Sequence, residues 1–148
     1  MQKKLIFQEF EELKRAVFLL RASVKKFKQY KTTKVYTPDE LEYYDSLSFR
    51  FEKSAELALN FFKGLEIFVY AKTSDTLRDR LLIMRKINII DDLDFWFEAR
   101  MLRNKIAHTY IVEEQKSLYN EIYKRSQIIF ETITRVEKYL KSREKAES

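Results

Sequence analysis

Apolar residues fall along this chain in long runs at alternating steps of three and four, which is the spacing of one helix face. Ile6, Phe10, Leu13, Val17, Leu20, Val24 and Phe27 form an unbroken seam, so a first helix is predicted from about Lys4 to Tyr30. Phe18 and Leu19 are expected to broaden its face midway. A second helix is announced by Thr37 as N-cap, Pro38 in the first helical position and Glu40 completing a capping box. Its stripe runs through Leu41, Tyr44, Phe51, Ala55, Ala58, Phe62, Leu65 and Val69, and Leu47, Phe61 and Phe68 make it wide enough to face two neighbours. Gly64 inside it is expected to mark a close helix contact. Thr73-Ser74-Asp75 breaks this helix and can cap a short third one, carried by Leu77, Leu81, Met84 and Ile87 and stopped near Asn88.

The fourth helix, capped by Asp91 or Asp92, has two apolar stripes. Phe95, Ala99, Leu102 and Ile106 form one, and Phe97, Met101, Asn104 and His108 form the other on the far side. A helix at the edge of a monomer needs only the first. The second predicts a dimer interface at Phe97, Met101, Asn104 and His108, the alternative being burial of both sides within one chain. The fifth helix starts near Glu113-Glu114 and reaches about Arg143, with Leu118, Ile122, Ile129, Ile133, Val136 and Leu140 as its seam. Residues 144–148 are expected to fray. The predicted fold is all-α: an antiparallel up-and-down bundle of four long helices plus one short helix, in a single domain over residues 1–148.

Composition narrows the function classes. With one Gly, one Pro and no Cys, hairpin turns, a Gly-rich phosphate loop, disulfides and thiolate metal sites are all poorly supplied. One His makes a zinc site improbable, and no Ser has a nucleophile-elbow context. No metal or other cofactor is expected. No apolar run approaches a membrane span of roughly 18 residues, and the N-terminus does not read as a signal peptide, so the expected location is the cytoplasm. The net charge of +6 is uneven. Lys14, Arg15, Arg21, Lys25, Lys26, Lys28, Lys31 and Lys34 lie in a stretch without an acidic residue, and the remaining 21 basic and 23 acidic residues leave a small negative balance. Such a patch attracts polyanions, which makes Lys25, Lys26 and Lys28, with Arg100, candidate RNA contacts. Phe27, Tyr30 and Tyr36 nearby are of a kind that stacks on bases, although Phe27 fits the core better.

The candidate chemistry sits in Arg103-Asn104-Lys105-Ile106-Ala107-His108-Thr109-Tyr110, which contains the only His. On a helix Arg103 and Tyr110 fall about 20° apart and Asn104 and His108 about 40° apart, on adjoining strips. A His at a helix C-terminus can also serve only as a partner of the helix dipole. For RNA cleavage, however, the groups suit the task. Imidazole can take or give a proton near neutral pH, Arg can bind a phosphate through two hydrogen bonds, and Asn can orient the imidazole or bind phosphate. One His per chain would make a symmetric dimer the way to bring two imidazoles into one cleft.

Arg-Asn-x-x-x-His-x-Tyr at a helix end, preceded by the acidic turn Asp91-Asp92-Leu93-Asp94-Phe95-Trp96, resembles the signature of the HEPN superfamily. It is similar in particular to the HepT-type toxins and to the nucleotidyltransferase substrate-binding proteins, over roughly Leu41 to Leu140. The resemblance implies a homodimer, possibly a higher oligomer, with a composite ribonuclease site in which Arg103, Asn104 and His108 act without metal on an RNA substrate. It implies a minimal nucleotidyltransferase as antitoxin partner, which silences the toxin by transferring AMP to Tyr110. It equally allows a non-catalytic nucleotide- or substrate-binding subunit of such a nucleotidyltransferase.

Overall fold

The computed structural model describes residues 2–108 and 111–147, and the described residues form five α-helices and no strand. They are α1 (Gln2–Lys25), α2 (Pro38–Tyr70), α3 (Leu77–Lys86), α4 (Leu93–His108) and α5 (Val112–Glu147). No helix among them is long and apolar enough to cross a membrane.

The helix ends follow from local chemistry. Thr37 accepts from the Glu40 N–H at 3.2 Å while the Glu40 carboxylate accepts from the Thr37 N–H at 3.1 Å, which is the predicted capping box. The cap of α3 is Thr76, one residue beyond the predicted break, and its side chain accepts from the Asp79 N–H. At the other end Asn88 takes a left-handed φ of 67°. The Ile89 N–H then reaches the Met84 carbonyl at 2.9 Å and the Asn88 N–H the Arg85 carbonyl at 3.0 Å. This pair of bonds is a Schellman motif, and Ile89 and Met84, both buried, make its apolar contact. Asp92 caps α4 by accepting from the Asp94 N–H at 2.9 Å.

Two expectations are corrected. α1 ends at Lys25, not Tyr30. The Lys26 and Phe27 N–H groups tighten onto Ser23 and Val24, and tyrosine side chains then take over the backbone: Tyr44 donates its hydroxyl to the Lys28 carbonyl at 2.6 Å, and the Lys31 N–H donates to the Tyr36 hydroxyl at 2.8 Å. The apolar seam thus continues past the helix as a loop packed on its aromatic residues. Phe18 and Leu19 do not broaden a buried face, since Phe18 is 71% exposed and Leu19 is also exposed. α5 is described as helix to Glu147.

α2 packs against each of the other four helices. Ile6, Phe10, Leu13, Val17 and Leu20 of α1 are buried, and Phe10 meets Phe61 of α2 with ring centroids 5.6 Å apart. The carboxylate of Glu9 lies over Gly64, so the close approach expected there is made by a side chain. Trp96 of α4 is completely buried against Phe62 of α2 and Phe95, each ring centroid 4.9 Å away, and its indole N–H has no hydrogen-bond partner among the described residues. At the α2–α3 junction the fully buried Glu66 carboxylate accepts from the Ser74 N–H at 2.7 Å, from the Ser74 hydroxyl, and from Arg80 Nε at 3.4 Å. Burial alone would raise the Glu66 carboxyl, but the Ser74 hydrogen bonds and Arg80 outweigh it and hold it below the usual carboxylate range.

Candidate functional site

Ion pairs to α5 fix the position of α4. Arg135 grips Asp91 with two parallel hydrogen bonds of 2.8 and 2.7 Å, which hold the Asp91 carboxyl below its ordinary range. Arg125 bonds Glu98 of α4 and, at 2.5 Å, Glu121 of its own helix. Phe95, Ala99 and Leu102 are buried by this docking and Ile106 is half-buried, as the first stripe requires.

The second stripe stays uncovered over most of its length. Phe97 is half-buried and packs against the core, so within this chain it belongs in part to the interior. Met101 is 64% exposed, and Asn104 and His108 are exposed on the two following turns. Burial of both α4 faces within one chain is therefore not what the structure shows. Asn104 and His108 are brought onto one face, four residues apart, and His108 is the last residue of α4. Arg103 is in the same helix five residues before it; its side chain, and Tyr110 altogether, lie outside the described residues. Beside this face is a hollow of about 330 Å³ between α4 and α5, lined by Met101, Lys105, Ser117, Glu121 and Arg125 among others.

The candidate RNA contacts separate. Lys25 ends α1, and Lys26 and Lys28 follow it in the connector. Lys26 and Lys28 line a groove of about 850 Å³ whose wall includes Lys31, Lys34, Tyr36, Tyr43 and Tyr44. Arg100 faces elsewhere, into a hollow of about 510 Å³ between α2, α3 and α4 that also holds Glu52, Glu56 and Asp75. Its surroundings are of mixed charge, unlike those of the lysines.

The tyrosines around the lysine groove were not singled out as a group by the sequence. Tyr36 stacks on Tyr30 at 4.7 Å, Tyr44 stacks on Tyr119 of α5 at 4.8 Å, and Tyr43 packs edge-on to Tyr44 at 5.0 Å. Phe27 stacks on Tyr123 at 4.2 Å. Phe27 and Tyr30, considered above as base-stacking residues, are thus engaged with other rings of the chain. Burial, reinforced by Tyr123, pushes the Tyr43 phenol up to about 12, and burial with Asp45 and Tyr30 pushes Tyr119 to about 12. Tyr44 is pushed up further, by burial first and then by Tyr36. The available signal is tyrosine density, since Tyr30, Tyr36, Tyr43, Tyr44, Tyr119 and Tyr123 are six of the nine tyrosines in the chain.

Residues 8–142 match the family described as nucleotidyltransferase substrate binding protein like. No curated protein and no solved structure matches the chain. The match takes in all of α2, α3 and α4 and most of α1 and α5. The chain therefore belongs to the nucleotidyltransferase substrate-binding-like family, a HEPN-like helical family.

Proposed function

We propose that this chain is the metal-independent endoribonuclease of a HepT-type toxin–antitoxin pair, acting as a cytoplasmic homodimer. The observation that carries the proposal is the uncovered α4 face, where Met101 leads to exposed Asn104 and His108. The reversed sequence order of the α1–α2 contacts, with Phe10 at Phe61 and Tyr43 at Ser23, supports the up-and-down arrangement the proposal assumes.

In this mechanism the RNA 2′-oxygen bonds to its own neighbouring phosphorus as one imidazole accepts the 2′-OH proton. The bond from phosphorus to the 5′-oxygen then breaks, and an imidazolium returns a proton to that oxygen. A 2′,3′-cyclic phosphate and a 5′-OH result. Arg103 answers the charge that builds on the phosphorane, Asn104 orients His108 or holds a phosphate oxygen, and the twofold axis supplies the second imidazole. Silencing follows when the Tyr110 phenol oxygen attacks the α-phosphorus of ATP on a partner nucleotidyltransferase and pyrophosphate leaves. The added phosphate and base then obstruct the cleft.

Cleavage of single-stranded RNA in EDTA by wild type beside His108→Ala tests this. Loss of a positioned proton-transfer group slows the reaction by about 10²–10⁴-fold. Equal rates in the two proteins refute the assignment.

The family description favours a second reading, in which the same face binds a nucleotidyltransferase or its substrate without chemistry. That reading requires wild type to leave RNA intact while His108→Ala weakens complex formation with the nucleotidyltransferase.

A further inference from the structure

We propose that the lysine-rimmed tyrosine groove formed by the α1–α2 connector and the start of α2 binds single-stranded RNA, as an extension of the α4 site. The proposal rests on the ribonuclease reading for the identity of the strand, but the groove is defined by different residues.

Charge is the first argument. The groove is lined by Lys26, Lys28, Lys31 and Lys34 against one carboxylate, Glu40. Glu40 is already answered: Lys34 Nζ lies 2.5 Å from it, and the Thr37 N–H donates to it. Lys26, Lys28 and Lys31 have no ion pair among the described residues. Their ammonium groups stand beside a wall of tyrosine, and of the three only Lys26 also borders a neighbouring hollow that holds Asp39 and Glu42. An array of this kind suits successive phosphates, since each neutralised phosphate releases a condensed counterion.

The second argument is the aromatic wall. Tyr36 is half-buried, one face stacked on Tyr30 and the ring capped by the Lys34 ammonium at 4.9 Å. A base that shifts the Lys34 ammonium off this ring face, with its pair to Glu40 kept, meets a ring already held in place by the Lys31 N–H and by Tyr30. That is a stacking platform fixed before the ligand arrives. The volume of about 850 Å³ is at the upper end of the range for one small ligand, and the groove is open to solvent, which favours a strand that passes through it.

Position is the third. Tyr30 donates its hydroxyl to Gln115 in the first turn of α5 at 3.2 Å, and Tyr44 stacks on Tyr119 one turn later. α5 begins at Val112, just after α4 ends at His108. Groove and motif therefore share one end of the bundle, and a strand in the cleft can continue into the groove.

The experiment is fluorescence anisotropy of the whole protein with a labelled 12-nucleotide 2′-O-methyl RNA, which cannot be cleaved, across a salt series. Lys28→Glu/Lys31→Glu is expected to weaken binding at least tenfold and to reduce the slope of log K against log salt by about 1.4, two contacts at roughly 0.7 each. Tyr36→Leu is expected to weaken binding about fivefold or more with the slope unchanged, and to have no effect on an abasic strand of the same length. Unchanged affinity and slope in the lysine variant overturn the proposal. So does binding of polyglutamate with the same affinity and lysine dependence, which would mark a site for acidic protein. Because the probe cannot be cleaved, a chain that fails to cleave RNA can still pass this assay, and a chain that cleaves RNA can still fail it.

Discussion

Glu66 offers the sharpest test of how the bundle is held together around the site. Replacing it with Ala removes the acceptor for the Ser74 N–H, the Ser74 hydroxyl and Arg80, all at the turn that joins α2 to α3. Arg80 would keep its bond to the Ser74 carbonyl at 3.1 Å, and its side chain is 15% exposed, so water can reach part of the guanidinium. Hydrogen bonds to a charged group contribute about 1.5–3 kcal/mol, and breaking a fully buried ion pair costs about 3–5 kcal/mol. The partial exposure of Arg80 places the loss near the bottom of the second range, at about 3 kcal/mol. For a chain of this size that is a fall of roughly 6–12 °C in Tm. Urea and thermal unfolding at pH 7 measure it. The pH dependence provides a second readout. The Glu66 carboxyl is held below its ordinary value of 4.5 in the folded chain, so its contribution is complete above that pH and is lost as pH falls through the lower folded value. The gap between wild type and Glu66→Ala should therefore narrow below about pH 4. A variant within about 0.5 kcal/mol of wild type at pH 7, or a gap that stays constant down to pH 3, would refute the reasoning.

Gly64→Ala should be neutral or stabilising by up to about 1 kcal/mol in urea unfolding, because Ala is the better helix former and the obstructing group is the free end of Glu9; a loss above 1 kcal/mol would mean that Glu9 cannot move. At alkaline pH the raised phenols of Tyr43 and Tyr119 contribute stability that is complete below pH 10 and is lost as pH rises toward about 12. Tyr119→Phe should flatten that limb of a pH–stability curve, and an unchanged limb would show that burial does not hold the phenol neutral. Met101→Lys places a charge on the uncovered α4 face and should convert a dimer to monomer in sedimentation velocity with the helical circular-dichroism signal retained, so a dimer of undiminished affinity would count against that face as the interface.

Much of the fold could be read from local chemistry, because caps and seams are written in neighbouring residues. Thr37-Pro38-Asp39-Glu40 contains its whole capping box, and Asn88 tolerates the left-handed turn that ends α3. The two stripes of α4 are equally visible in the sequence, and Met101, Asn104 and His108 of the second are exposed in the folded chain. The end of α1 was not legible. Phe27 and Tyr30 keep the helical rhythm, and only hydroxyls from Tyr36 and Tyr44, distant or across a turn, draw that backbone into a loop. For the same reason the lysine groove could be seen only as a charged stretch. Its floor depends on Tyr119, 75 residues beyond Tyr44 in the chain, and periodicity within one helix carries no information about such a partner.

The burial of the single Trp has a practical consequence. Trp96 lies wholly inside, where α4 meets α2, while six of the nine tyrosines gather at the connector end. The two chromophores therefore watch different regions of one molecule. Indole emission will shift to the red when α4 lifts from its seat, and tyrosine absorbance will register loosening around the groove. Spectra recorded together can say which half of the protein yields first, with no label attached.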